Sequence, residues 1–73
     1  MNHFERIKWL DLYGNTVGRI KLENGLWITI VKQADSYTCQ PQISYAREVF
    51  KRDEYEVDKW LDNVSKIDMK GVV

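Results

Sequence analysis

Cys39 and His3 are the only cysteine and the only histidine of the chain, so they bound the covalent and metal chemistry available to it. A thiol nucleophile needs a base held within hydrogen-bond reach. Nothing in the sequence ties His3 to Cys39, and an ordinary buried or loop thiol is expected. One cysteine and one histidine also make a poor metal set. Carboxylates are more plentiful: Asp53, Glu54, Glu56, Asp58 and Asp62 could in principle pair for acid–base work. They fall on the first turns of an expected helix, where acids meet the positive end of its dipole, and a solvated helix face accounts for them. Asp11 is expected on the inner side of a sheet opposite Gly18, hydrated or bonded to a tyrosine hydroxyl. Gly14, Gly18 and Gly25 are spread through hairpins and form no phosphate loop. Within its strand, Gly18 marks a bulge or a close approach. With no activated nucleophile, metal set or cofactor loop, the expectation is a protein that is not an enzyme and takes no cofactor.

Those residues must be positioned by three strand-like segments and a helix. Gly14-Asn15 and Asn24-Gly25 lie between runs rich in Ile, Val, Leu and Trp. Asn-Gly between apolar runs is a strong hairpin signal, because both central residues of that turn need positive φ. Strands are expected over Phe4 to Leu12, Thr16 to Leu22 and Leu26 to Lys32. Two-residue loops would set Trp9 opposite Ile20, Ile7 opposite Leu22, and Leu22 opposite Trp27. One face then carries Ile7, Trp9, Ile20, Leu22, Trp27, Thr29 and Val31. The third strand is apolar on both faces and should be central.

Gln33 to Gln42, polar and closed by Pro41, reads as a loop. Ile43 to Phe50 is open between strand and helix, with strand favoured. Asp53 is a suitable N-cap, and Glu56 three residues on completes a capping box. Val57, Trp60, Leu61, Val64 and Ile67 form one helical stripe, which Gly71 ends. The stripe should cover the inner face and bring Trp60 near Trp9 or Trp27. The expected architecture is α+β: one small domain over residues 1–73, an antiparallel meander of three or four strands with a C-terminal helix across one face.

The opposite, outer face collects Leu10, Leu12, Val17, Leu26, Ile28 and Ile30. The same register places Arg6, Lys8, Arg19, Lys21 and Lys32 there, against the single acid Glu23. Lysine and arginine stems could simply lie across these aliphatic groups with their charges in water. An interface with an acidic partner, or with a second copy, is the functional reading of such a surface. The residues expected to make contact are Lys8, Arg19, Lys21, Ile28, Ile30 and Lys32. The three tryptophans are placed by spacing in the core rather than as stacking platforms. A basic face without aromatics suits phosphate contact but cannot read bases.

Eleven acidic and eleven basic residues cancel. Zero net charge argues against strong nonspecific nucleic-acid binding, though it allows a local basic patch. No run approaches the roughly 20 apolar residues that span a bilayer. One cysteine and no leader-like start point to the reducing cytoplasm.

Leu22 to Val31, with Asn24-Gly25 ahead of an apolar strand, is followed by Ser36-Tyr37, the segment Ile43 to Phe50 and the Asp53 to Ile67 helix. This order resembles a loose group of small proteins encoded by bacteriophages and prophages of Gram-positive bacteria. Thr38-Cys39-Gln40-Pro41 stands where that group carries a Gly-rich stretch. The resemblance implies an accessory or regulatory protein that binds another protein, without catalytic residues. Weak nucleic-acid binding through the same cations is the alternative.

Overall fold

Two hairpin loops set the sheet. In the computed structural model, which describes residues 2–43 and 46–68, β1 (Lys8–Leu12) and β2 (Asn15–Lys21) are joined through Tyr13-Gly14. Both loop residues have positive φ, +51° and +82°, which is the backbone a two-residue hairpin loop requires. The loop therefore lies one residue earlier than Gly14-Asn15, and Trp9 faces Gly18 rather than Ile20. Each pairing moves by two places, an even shift, so the first two strands keep the expected faces.

The second loop behaves differently. It has three residues, Glu23-Asn24-Gly25, and only Gly25 takes a positive φ (+90°). Leu22 N–H donates to the Leu26 carbonyl at 2.9 Å, and Gly25 N–H to the Leu22 carbonyl at 2.9 Å. The Asn24 side-chain oxygen accepts from Leu26 N–H at 3.1 Å. Against β3 (Trp27–Lys32) the register is consequently Lys21 to Trp27 and Ile20 to Ile28. That differs by one residue from Leu22 facing Trp27, and a one-residue slip turns a strand over. Ile28 and Ile30 point into the core, while Trp27, Thr29 and Val31 face out.

β4 (Tyr37–Pro41) and β5 (Val49–Lys51) complete an antiparallel meander in the order β1-β2-β3-β4-β5. The α+β architecture holds, with five strands rather than three or four. β4 lies inside the segment expected to be a loop. Its polar Thr38 and Gln40 are half-buried on one face, and Tyr37, Cys39 and Pro41 are buried on the other, a period-two pattern. Pro41 sits past the last residue paired with β5, a position that tolerates proline. Of the strand expected over 43–50, only its last two residues belong to β5; residues 46–48 are irregular, and 44–45 lie outside the described residues.

The helix α1 (Glu54–Ser65) starts as its sequence dictates. Asp53 accepts from Glu56 N–H at 2.9 Å, and the Glu56 side chain accepts from Arg52 N–H at 2.9 Å. Val57 and Leu61 are fully buried, each worth about 1.5–3 kcal/mol in apolar transfer. Trp60 and Val64 flank them, half-buried. The helix ends at Ser65, leaving Ile67 beyond it and about half exposed; Gly71, the expected terminator, lies outside the described residues.

The core joins Ile7, Ile20, Leu22, Leu26, Ile28, Ile30, Tyr37 and Cys39 to the helix stripe. Trp60 makes no ring pair among the described residues. The aromatic cluster is instead Phe4, Trp9 and Tyr37, with ring centroids 5.8–6.3 Å apart. Trp9 lies across Gly18, through which the ladder runs without a bulge. A Cβ at residue 18 would stand 2.5 Å from Ile7 and 2.8 Å from the indole.

Gly18→Ala should therefore cost about 1–3 kcal/mol in urea unfolding, since the Ile7 methyl is held in the core and the half-buried Trp9 ring must shift to make room. Tyr13→Asn should act oppositely. It relieves a bulky side chain held at positive φ and should raise stability by about 0.5–1 kcal/mol.

Candidate partner-binding face

The outer face is built by strand parity alone. Across the sheet, Leu10 pairs with Val17, Val17 with Val31, Val31 with Thr38 and Thr38 with Phe50. Residues directly opposite one another share a face. One row of largely apolar side chains thus crosses all five strands. Its ends are open: Leu10 is 54% exposed and Phe50 65%. Leu12, beside the row at the end of β1, is also exposed.

A second row runs parallel to the first through Lys8, Arg19, Thr29 and Gln40. A third sets Lys21 against Trp27. The Arg19 guanidinium lies over the Trp27 indole, 5.0 Å from the ring centroid, and the tryptophan remains 43% exposed. A cation on an aromatic face is held without losing its charge to a carboxylate. None of the strand positions on this face is acidic. The result is an apolar belt bordered by three cations and one indole.

The register of β3 changes the membership of this face. Lys8, Arg19 and Lys21 stand where the sequence places them. Ile28 and Ile30 do not: both are wholly buried on the opposite side, so neither can touch a partner of the folded chain. Lys32 also falls on the inner side. There it borders a shallow cleft of about 130 Å³ with Phe4, Trp9, Thr16, Tyr37 and Glu54. Leu26 is buried in the core. Arg6 belongs to a 3-10 turn, Phe4–Arg6, and its guanidinium is 2.7 Å from Glu23. In exchange the outer face gains Trp27, Val31 and Phe50, which the reading of the sequence left out of it. Placing Phe50 required knowing that β5 exists.

The chemistry-bearing residues are separated. Cys39 is buried between Ile30 and Val49 in the ladder, and burial pushes its thiol up to about 11, a protonated and unreactive form. Asp11 faces Thr16, not Gly18, and accepts from its hydroxyl at 3.2 Å. His3 is buried rather than loose. Its Nε2 is 3.2 Å from Glu23 Oε1, and its Nδ1 is 3.9 Å from Asp62, with no hydrogen-bond partner among the described residues. Asp58 accepts from Phe4 N–H at 2.9 Å, so this helix acid ties down the 3-10 turn. Among the described residues no group of three His, Cys, Asp or Glu side chains could hold a metal. No described helix is long and apolar enough to cross a membrane.

Among the described residues Glu23 is the one carboxylate with a strongly displaced titration. Its own backbone N–H and the Arg6 guanidinium hold it down, from the ordinary 4.5 to about 2. Burial raises the phenol of Tyr37, with Glu54 and Asp53 adding to the effect. Compared with protein families, with curated proteins and with solved structures, the chain matches none.

A carboxylate lowered on folding stabilises the fold above its unfolded titration point, and that contribution disappears as pH falls through the folded one. Wild-type stability should therefore decline between pH 4.5 and about 2 through Glu23. Glu23→Gln should flatten this part of a stability-against-pH curve, and thermal melts over that range would show it.

Proposed function

We propose that this chain is a non-enzymatic binding module whose outer sheet face docks a protein partner. The partner presents carboxylates beside apolar side chains. The accessory or regulatory role implied by the resemblance to small phage and prophage proteins is of this kind. The observation that carries the proposal is the row from Leu10 to Phe50, apolar on every strand but β4, where Thr38 stands, and with its ends exposed. Exposed apolar area rimmed by charge is the usual form of a protein interface. Arg and Trp, here stacked as Arg19 on Trp27, are the residue types that most often dominate interface energies.

The charges select the occupant. Two copies of this face laid against each other would enclose Lys8, Arg19 and Lys21 from both sides with no acidic strand position on either copy to pair with them. Like charges brought together in a drying interface are costly. A partner supplying carboxylates gains where self-pairing loses. Phosphate could satisfy the same cations, and exposed Trp27 adds a base-stacking surface that the sequence alone did not place there. The belt supports the protein reading: aliphatic side chains gain from burial under another protein and little from a sugar–phosphate backbone.

Capture from nuclease-treated bacterial lysate, run beside two variants, tests this reading. Leu10→Glu and Arg19→Glu alter exposed positions and should leave the circular dichroism unchanged. The wild type should retain a protein that both variants lose, with affinity reduced roughly tenfold or more by the charge reversal. Retention by both folded variants, or recovery that disappears with nuclease treatment, would overturn the proposal.

A further inference from the structure

Asn24 carries two roles at once, and they conflict. Its side chain is the clasp between sheet and helix. Nδ2 donates to the Val64 carbonyl at 2.9 Å and to the Ile67 carbonyl at 3.0 Å, fastening the loop to the final turn, where the Val64 oxygen also accepts from Ile67 N–H at 3.1 Å. Oδ1 accepts from Leu26 N–H at 3.1 Å and so holds the hairpin loop. Its neighbour Gly25 is the residue least able to shield an adjacent asparagine, because no Cβ obstructs the backbone nitrogen between them.

We propose that Asn24-Gly25 is a deamidation site gated by the fold, and that its conversion unfastens the helix end from the sheet. In the reaction the Gly25 backbone nitrogen attacks Asn24 Cγ. The N–Cγ bond forms and the Cγ–Nδ2 bond breaks. Ammonia leaves with the proton given up by the Gly25 amide, and a five-membered succinimide remains. Water then opens the ring at either carbonyl, giving aspartate or isoaspartate. Nothing is oxidised or reduced, and water is the only co-reactant.

The folded chain opposes the first step at both reacting atoms. Gly25 N–H is engaged with the Leu22 carbonyl at 2.9 Å. Rotating Asn24 toward that nitrogen breaks its three side-chain hydrogen bonds, to Val64, Ile67 and Leu26. Attack therefore requires the loop to part from the helix end, a local opening distinct from global unfolding. The product cannot close again in the same way. Where Nδ2 donated to two carbonyls, a carboxylate oxygen would face both oxygens with nothing to donate. Isoaspartate in addition lengthens the backbone of the loop that sets the β2–β3 register. The site converts in one direction, and the modified fraction records how long the loop has stood open.

Peptide mapping by mass spectrometry during incubation at mildly alkaline pH reads the reaction. The wild-type chain, folded in buffer and unfolded in urea, is sampled over the same times. Deamidation at Asn24 should be roughly tenfold or more slower in the folded chain, by the protection that local opening confers. Asn24→Asp, which mimics the product while keeping an acceptor for Leu26 N–H, should melt below the wild type. It should also lose amide-exchange protection at Ile67 and Lys66 before the strands do. Equal deamidation rates in folded and unfolded chain would overturn the gating. Wild-type melting and exchange in Asn24→Asp would overturn the clasp.

Discussion

Gly25, at a φ of +90°, is the constraint on which the rest of the molecule rests. Its left-handed backbone lets Glu23, Asn24 and Gly25 close a three-residue loop, with Leu22 bonded to Leu26 across it. The loop length fixes which residue of β3 stands opposite which residue of β2. Because side chains alternate with a period of two, that choice decides whether Ile28 and Ile30 or Trp27 and Val31 enter the core. Burial then reinforces it. Ile28 and Ile30 are wholly enclosed beneath Val57 and Leu61, and the alternative register would place Lys32 on the outer face while exposing both isoleucines. A turn of three residues thus sets the composition of both surfaces of a five-stranded sheet.

The same loop ties the sheet to the helix. Asn24 reaches the carbonyls of Val64 and Ile67, while Glu23 holds His3 and Arg6 of the opening segment. Asp58 takes the Phe4 amide from the other side. A chain of this size buries a modest share of its surface, so polar ties at the margins matter more than in a larger domain. They gather at one end of the molecule, around residues 3–6, 21–25 and 62–67. On the outer face Thr38 donates to Gln33, Gln40 to the Ala46 carbonyl, and Thr29 accepts from Gln42, whereas the cations Lys8, Arg19 and Lys21 make no ion pair with the described residues.

The two faces of the same sheet carry different chemistry. The inner face is filled by the helix and the aromatic cluster of Phe4, Trp9 and Tyr37. Its one buried thiol is held protonated, and its histidine is enclosed among carboxylates. The outer face carries what the core does not absorb: an apolar belt, three cations and an indole stacked on a guanidinium. Residues of opposite solvation lie in parallel rows because the pairings carry one row across every strand. A docking partner would meet both rows together.

Much was legible in the sequence because it depends on neighbours along the chain. Asp53 and Glu56 specify the helix start, the 57–61–64 spacing specifies its buried side, and the faces of the first two strands survive an even error in loop position. β4 and the third strand's orientation were not legible. The strand over Tyr37–Pro41 is polar and ends in proline, and only pairing with β3 on one side and β5 on the other makes it a strand. Asn24-Gly25 signals a turn, but its side chain's bonds to Leu26 and to the distant helix end belong to a loop of three residues rather than two. That difference of a single residue is invisible locally, because the sequence of β3 is apolar on both faces and accepts either orientation. Packing against α1 decides it, since only one of the two faces offers Ile28 and Ile30 to Val57 and Leu61.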